Sequence, residues 1–140
     1  ISTPLYCTNK MSKSNEKNGI RTRIWGPHAW KTIHFTAMGY PLDPTKKQKR
    51  DYKNHFKYIA LTLPCGLCRI SFIRFLKTHP LNAKVMSSRR TLFNHTLLLR
   101  NLVNAKLGCK QLLKKDFPKM YNKYDKYRSK GCSPTALGCS

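Results

Sequence analysis

Length, composition and charge already limit what this protein can be. The chain has 140 residues, of which 40% are apolar, and this suffices for one hydrophobic core but not for two. Lysine and arginine number 28 against five acidic residues, and the five do not cluster. This excludes neither binding nor redox chemistry, but it argues against paired catalytic carboxylates and against a Ca²⁺ or Mg²⁺ site. No run of 18 apolar residues exists, so a membrane-spanning helix is excluded.

The first predicted helix follows a polar tail. Residues 1–22 are rich in Ser, Asn and Lys and lack periodicity, which predicts an extended tail. Trp25-Gly26-Pro27 then predicts a turn, with Pro27 at the first helical position. The helix is expected to end at Gly39. Its inner face is predicted from residues at helical spacing, namely Trp30, Ile33, His34, Ala37 and Met38.

Two further helices are predicted before residue 80. The second is expected to end at Pro64-Cys65, and its lysines and Arg50 lie on the outer face. The third starts beside Cys65 and stops before Pro80. The inner face of the second helix carries Tyr52, Phe56, Ile59, Ala60 and Leu63, and the third holds Cys68, Phe72, Phe75 and Leu76.

The second half of the chain predicts a long helix and a short one. A leucine-rich helix runs from about Thr91 to Leu107, and Gly108 is a natural stop. A fifth helical segment is predicted near residues 110–117, with a bend at Pro118, and a basic, tyrosine-rich tail begins at Lys123. We find no internal repeat and no long strand-like alternation. The sequence therefore predicts an all-α fold, a four-helix bundle plus a short fifth helix, with extended basic N- and C-terminal tails.

The most specific local motif is Pro64-Cys65-Gly66-Leu67-Cys68-Arg69. Two cysteines three apart at a helix start lie where free backbone amides and the helix dipole stabilise a thiolate, and a lowered thiol pKa favours reversible disulfide exchange. Half of a zinc site is the competing interpretation, but it needs two further ligands, and the remaining cysteines and histidines are scattered. A purely structural disulfide in so short a loop would add little stability. We therefore favour redox exchange and expect no metal.

The remaining four cysteines leave several interpretations open. Cys7, Cys132 and Cys139 lie in the tails, where a pair could relay electrons between a substrate and the Cys65–Cys68 couple. They could instead staple the termini together or bridge two subunits. Cys109 follows a helix end and could pair with a tail cysteine or stay free.

Three motifs in a fixed order resemble the FAD-linked sulfhydryl oxidases of the Erv/ALR type. They are Trp25-Gly26-Pro27-His28-Ala29-Trp30-Lys31-Thr32-Ile33-His34, Pro64-Cys65-Gly66-Leu67-Cys68-Arg69, and Arg100-Asn101-Leu102-Val103-Asn104-Ala105-Lys106-Leu107. The WGPxxW form of the first motif is especially similar to members encoded by large DNA viruses. The resemblance covers residues 23–122. It divides the chain into a polar N-terminal tail (1–22), an Erv/ALR-like sulfhydryl oxidase domain (23–122) and a basic C-terminal tail (123–140).

The resemblance implies a fold and a reaction. The family forms a four-helix bundle with a short fifth helix, usually as a homodimer, and holds FAD at the mouth of the bundle. A protein dithiol would exchange with the Cys65–Cys68 couple, with Cys65 as the interchange thiol and Cys68 facing the flavin. Oxygen would be the final electron acceptor and hydrogen peroxide the product, in chemistry that belongs to the cofactor.

The resemblance also implies cofactor contacts on the first helix. Trp30 and His34 lie four residues apart on one helical face and would present an aromatic plane and a hydrogen-bonding ring to the flavin nucleotide. From the residues alone, the two could equally be a core aromatic and a satisfied core histidine. Gly26 would allow a close approach of the cofactor.

Further cofactor contacts are implied on and after the fourth helix. Asn101 and Asn104 would hydrogen-bond the adenosine, and Lys106 or Lys110 could meet the pyrophosphate. Arg100 could stack on the adenine or pair with a phosphate. Three positions differ from the family pattern, where histidine, tryptophan and lysine are usual: Arg100, His95 and Cys109.

Two other functions stay open beside the thiol oxidase. The fold could serve in a virion-associated minor capsid or structural protein with a degenerate flavin site. Nucleic-acid binding is suggested only by the charge and by Tyr121, Tyr124 and Tyr127 among lysines. Expected partners are dithiol protein substrates, a second copy of the chain or a virus particle, and acidic proteins or nucleic acid at the basic tails. The expected location is the virion or the host cytoplasm.

Overall fold

A computed structural model describes residues 19–131 of the chain. It confirms the predicted all-α fold of four longer helices and a short fifth. No strand occurs among the described residues, where a single antiparallel bridge joins Gly19 to Cys65. The helices are α1 (Thr22–Met38), α2 (Lys46–Thr62), α3 (Gly66–Thr78), α4 (Arg89–Lys106) and α5 (Phe117–Asp125), with 3₁₀ turns at Val85–Ser87 and Lys114–Asp116.

The first helix begins earlier than the sequence predicts. α1 starts at Thr22, and Pro27 lies inside it rather than at its first position. The proline removes one backbone donor near the helix start, and the turn before it is held by a side chain, because the indole of Trp25 donates a 2.8 Å hydrogen bond to the carbonyl of Ile20. The predicted end at Gly39 is confirmed.

The middle three helices are confirmed, and each begins at a side-chain cap. Thr45 and Gln48 form a reciprocal capping box at the start of α2, and Ser88 and Thr91 form another at α4. The second box places the start of α4 two residues before the predicted Thr91. Cys65 is the N-cap of α3, where its sulfur replaces the usual oxygen.

The chain after α4 departs from the prediction. Residues 110–113 form a loop instead of a helix, because Gly108 turns the chain with a φ of +70° and α5 starts only where Pro118 supplies a favourable first-turn residue. α5 continues to Asp125, so the tail predicted from Lys123 begins later. Tyr124 lies buried in the core, so one of the three tyrosines that suggested nucleic-acid binding is not accessible to a nucleic acid.

The hydrophobic core lies mainly between α1 and α4. α2 packs on α3, and α5 packs against both α1 and α4. No helix among residues 19–131 is both long and apolar enough to cross a bilayer. The largest fully buried apolar side chains are Tyr40, Phe56, Phe93, Ile33, Leu92, Leu97 and Leu99.

Positive charge dominates the surface of the described chain. Within residues 19–131 the structure shows two ion pairs, Lys47–Asp51 and Arg128–Asp125, and both are solvent-exposed. Such pairs add little stability, so the other cationic side chains mainly make the surface basic. Arg128 has a second use, because its guanidinium donates a 2.9 Å hydrogen bond to the carbonyl of Met38 at the end of α1.

Candidate active site

A cavity of about 310 Å³ opens between the starts of α1 and α3 and the end of α4. Its size lies within the range of small-molecule sites, roughly 300–1,000 Å³. Most of the wall is apolar or aromatic, and one sulfur reaches it. The lining includes Trp25, Gly26, Trp30, Cys68, Phe72 and Lys106. A flat, largely apolar ligand with an anionic group would match these walls.

The two cysteines of the CxxC motif occupy different environments. Both are free thiols in this structure. Cys68 is half-buried and lines the cavity, whereas Cys65 is fully buried and does not line it. The amide N–H of Cys68 donates to the sulfur of Cys65 at 3.4 Å. The motif therefore places one sulfur at the cavity wall and the other behind it, at the cap of α3.

The thiol of Cys68 holds its proton more strongly than a free cysteine. The pKa of Cys68 is raised to about 11, mainly by burial and also by its hydrogen bond with Cys65. The hydroxyl of Thr22, 3.7 Å from the sulfur, and the charge of Lys106 oppose this and lower the pKa. The predicted lowering of the thiol pKa at the helix start is therefore wrong for Cys68, because loss of water outweighs the helix dipole at this position.

Trp30 separates the cavity from His34. The two rings stack with centroids 5.7 Å apart and an interplanar angle of 22°. Trp30 lines the cavity, but His34 is fully buried and is not part of the lining. The structure thus brings Gly26, Trp30 and Cys68 together at the cavity and places His34 behind this wall.

The hydrogen bonds of His34 define its tautomer. The Thr96 hydroxyl donates to the carbonyl of Phe93 at 2.6 Å, so it can only accept from Nδ1–H of His34, 2.9 Å away. Nε2 of His34 is then a buried acceptor, and it has no hydrogen-bond partner among residues 19–131. Burial, and to a lesser degree the charge of Arg100, lower the pKa of His34 to about 3. The imidazole is therefore neutral at physiological pH.

Two predicted cofactor contacts of α4, Asn101 and Asn104, bind the following loop instead of lining the cavity. The side chain of Asn101 donates to the carbonyl of Leu112 at 2.7 Å and accepts from its amide at 2.8 Å. Asn104 donates to the carbonyl of Lys110 at 3.3 Å, and the side chain of Lys110 is exposed. Arg100 is buried. None of these four side chains lines the cavity.

Two of the positions that depart from the family pattern are structural here. His95 is buried on α4, and its Nε2 forms a 2.9 Å hydrogen bond with the carbonyl of His79, which ties α4 to the end of α3. Burial lowers the pKa of His95. Cys109 is disulfide-bonded, so the alternative of a free Cys109 is wrong. The tail cysteines Cys7, Cys132 and Cys139 lie outside the described residues, and their relay and staple roles stay predictions.

Part of the cavity wall is not predicted from the sequence. Thr22 is predicted in the tail and Trp25 in a turn, but both lie on the cavity face of α1. The helical spacing of Thr22, Gly26, Ala29 and Ile33 could have shown that the helix starts earlier. Lys106, considered above only as a phosphate ligand, bonds to Ser71 and so links α4 to α3 beside Cys68.

A metal site finds no support in the described structure. Among residues 19–131, no three His, Cys, Asp or Glu side chains come close enough to hold a metal ion. One sulfur of the CxxC motif, that of Cys68, instead lines an aromatic cavity within a helical bundle. These features define a helical dithiol protein with a cleft for a flat ligand beside one thiol.

Comparison with known proteins names the family. The sequence profile of the Erv1/Alr family matches residues 27–125, and the chain belongs to that family. The "Probable FAD-linked sulfhydryl oxidase" of Acanthamoeba polyphaga mimivirus is 40% identical over 88 residues, which cover 63% of this chain and 62% of that relative. A relative from Invertebrate iridescent virus 6 is 31% identical, over 64% of this chain and 84% of the relative.

A solved structure gives the same picture. The crystal structure of the FAD binding domain of Erv1 from Saccharomyces cerevisiae superposes with a TM-score of 0.66 at 25% sequence identity. The match covers 75% of this chain and 97% of that domain. This chain spans less than two thirds of the mimivirus relative, so what the longer relatives do enters below as a proposal.

Proposed function

We propose that this chain is an FAD-dependent thiol oxidase that forms disulfides in protein dithiols, with oxygen as acceptor and hydrogen peroxide as product. The observation that carries the proposal is the sulfur of Cys68 on the wall of an aromatic cavity, with Cys65 hydrogen-bonded behind it. The names of the relatives, FAD-linked sulfhydryl oxidases, support the same activity. When bound, FAD supplies a two-electron acceptor that oxygen reoxidises.

The walls of the cavity fit the ring system of a flavin. Trp25, Trp30 and Phe72 offer apolar and aromatic surface, and Gly26 leaves part of the α1 wall without a side chain. Lys106 supplies a positive charge at the same wall, which favours an anionic phosphate or a negatively charged reduced ring. We assign Gly26, Trp30 and Cys68 to direct contact with the cofactor.

The chemistry of the chain itself is thiol–disulfide exchange. A substrate thiolate attacks the sulfur of Cys65 in the Cys65–Cys68 disulfide, a mixed disulfide forms, and Cys68 leaves as a thiolate. A second substrate thiolate attacks the substrate sulfur, forms the product disulfide and releases Cys65. Two electrons then reside on the cysteine pair, and Cys68 passes them across the cavity wall. Overall, two thiols and one oxygen molecule give one disulfide and one hydrogen peroxide.

Thr22 and Lys106 assist the departure of Cys68. Because Cys68 leaves as a thiolate, burial opposes this step, whereas the Thr22 hydroxyl and the Lys106 charge favour the anionic sulfur. We assign these two residues to stabilising that thiolate. We assign His34 and Arg100 to the packing behind the wall, Asn101 and Asn104 to holding the loop after α4, and Lys110 to the exposed edge of that loop.

The visible spectrum and oxygen uptake test the proposal. The purified protein should be yellow, bind close to one flavin per chain, and consume oxygen when dithiothreitol is added. Cys68→Ala should keep the flavin absorption band, but its turnover should fall at least about 100-fold, because the variant lacks one of the two reactive thiols. Thr78→Ala, an exposed change at the far end of α3, is the matched control and should keep full turnover. A folded, colourless protein that consumes no oxygen would refute the proposal.

We infer that the substrates are dithiol proteins, that two copies associate, and that the protein acts in the virion or the host cytoplasm. Relatives in viruses support the setting, and the basic surface of the described residues supports contacts with acidic proteins or nucleic acid. Light scattering measures the association, and fractionation of purified particles tests the location. The alternative of a structural virion protein with a degenerate flavin site predicts a folded protein without flavin.

A further inference from the structure

The residues before and at the start of α1 contact both cysteines of the motif. In this lead-in segment, defined as residues 19–22, Gly19 pairs with Cys65 in the antiparallel bridge. The amide of Ile20 donates to the carbonyl of Pro64 at 2.9 Å. Thr22 places its hydroxyl 3.7 Å from the sulfur of Cys68. Under this cover the exposed fraction of Cys65 is 0%, so a substrate sulfur reaches it only when the cover moves aside.

The backbone of Gly19 lies too close to Pro64 and Cys65 for a side chain to fit between the two segments. Gly19 has a φ of +141°, and a Cβ at this residue would lie 2.0 Å from the carbonyl oxygen of Pro64 and 3.0 Å from Cα of Cys65. Only glycine tolerates this conformation and this distance. The contact is therefore one of main chain against main chain, without a side chain between the two segments.

The segment that accepts this pairing is held in place independently of it. Leu63 and Cys65 both have extended backbone angles, with ψ values of 142° and 125°. The guanidinium of Arg69, one turn into α3, donates to the carbonyl of Leu63 at 2.5 Å. Cys65 is fixed as the cap of α3. When Gly19 and Ile20 leave, residues 63–65 would thus keep their extended shape and present the Pro64 carbonyl as an unsatisfied acceptor.

We propose that residues 63–65 form a main-chain docking edge for the substrate, where an extended polypeptide carrying the dithiol pairs in place of Gly19 and Ile20. An exposed extended segment binds a further strand through backbone hydrogen bonds, which ignore side-chain identity. The proposal rests on the proposed function, which requires a substrate sulfur at Cys65, and it specifies the substrate class. Cysteines in extended or unfolded segments are preferred over cysteines within helices.

The same exchange of partners uncovers Cys65 and leaves the surroundings of Cys68 in place. Displacement of Gly19 frees the approach to the sulfur of Cys65. Thr22 belongs to α1 and not to the paired residues, so its hydroxyl stays near Cys68 when Gly19 and Ile20 are displaced. Binding of a polypeptide substrate and exposure of the Cys65 sulfur therefore occur together. Small thiols cannot make the backbone hydrogen bonds that displace Gly19 and Ile20, so their binding does not expose Cys65.

The cover is tested by alkylation of the reduced protein, which needs no oxidase activity. Ile20→Pro removes the N–H that donates to Pro64, and Ile20→Val keeps it. Loss of one such hydrogen bond should raise the iodoacetamide rate at Cys65, followed by mass spectrometry, by about 2- to 10-fold, and the valine variant should match the parent. Gly19→Val, whose side chain cannot fit, should give at least the same increase. Unchanged rates in both Ile20→Pro and Gly19→Val would overturn the cover.

The docking edge is tested with the full-length protein and extended dithiol peptides. Methylation of successive backbone nitrogens should identify one position, next to the reactive cysteine, where kcat/KM for oxygen uptake falls about 2- to 10-fold, as expected for one hydrogen bond. Dithiothreitol turnover in parallel assays controls for inhibition. A scan in which no position matters would overturn the docking edge.

Failure of the oxidase and failure of the docking edge give different results. If neither the parent protein nor Ile20→Pro, in which the cover is loosened, consumes oxygen with dithiothreitol, the proposed function is wrong. The edge is then tested by protection: a peptide with serine in place of both cysteines should slow alkylation of Cys65 in Ile20→Pro, and the N-methylated peptide should not. Equal alkylation with and without the serine peptide would refute the edge whatever the outcome of the oxygen measurement.

Discussion

Asn101 provides the sharpest test of how α4 and its loop are built. Asn101→Ala removes two short hydrogen bonds to Leu112, one in each direction, and leaves a backbone amide and a carbonyl without their partner. Each lost bond costs about 1 kcal/mol, and stranding half-buried backbone groups adds to it, so we expect a loss of about 2–3 kcal/mol. For a chain of this size that corresponds to a fall in Tm of roughly 6–12 °C.

Urea unfolding of the flavin-free protein, followed by far-UV circular dichroism, measures this loss. Asn104→Ala is the matched control, because it removes a single hydrogen bond of 3.3 Å from a partly exposed residue and should cost less than about 1 kcal/mol. The opposite result is equally informative. If Asn101→Ala leaves the flavin-free protein as stable as the parent and weakens only FAD binding, Asn101 contacts the cofactor, as the family resemblance implies, and its role as a loop clamp is wrong.

Three further predictions concern titration and charge. The pKa of His34 is depressed to about 3 in the folded state, so its contribution to stability is complete above pH 6.5 and is lost as the pH falls toward 3. The slope of the unfolding free energy against pH should approach about 1.4 kcal/mol per pH unit in this range. His34→Gln should reduce this slope. A steeper acid loss in His34→Gln would contradict this. The raised pKa of Cys68 predicts that alkylation of Cys68 in the reduced protein still accelerates between pH 9 and about 11. Thr22→Val should slow this alkylation at pH 9, because it removes a hydrogen bond that lowers the pKa. An alkylation rate of Cys68 that levels off below pH 9, measured by mass spectrometry, would contradict the raised pKa. With 28 basic and five acidic residues, the unfolding free energy should rise between low and moderate NaCl, and a fall in chemical denaturation experiments would show that self-repulsion is unimportant.

Local sequence signals predicted most of the bundle. The inner faces of α2 and α4 follow from apolar spacing, and Gly39, Pro64 and Pro80 mark real helix ends. These signals act within one or two turns of the chain, so they are visible without a structure. The proximity of the two cysteines of the CxxC motif is also a local signal, because an N-cap residue and the residue three positions later are neighbours at the start of any helix.

What the sequence did not predict depends on contacts between distant parts of the chain. α1 extends past Pro27 because Trp25 bonds to Ile20, and no local rule indicates that partner. The raised pKa of Cys68 reflects burial by other elements, which overrides the local helix dipole. Likewise the side chain of Asn101 hydrogen-bonds to Leu112, a loop residue eleven positions later, although the family resemblance implied a contact with the cofactor.

The hydrogen bond from Arg128 to the carbonyl of Met38 makes the end of α1 depend on a distant part of the chain. The carbonyl of Met38 at the end of α1 accepts a hydrogen bond from a residue 90 positions later, and Phe35 on the same helix packs against the rings of Tyr124 and Tyr127. A nascent chain therefore lacks these contacts of α1 until synthesis has passed Arg128. The helix that supplies the aromatic side of the cleft reaches its full set of contacts only when the chain is present up to that residue.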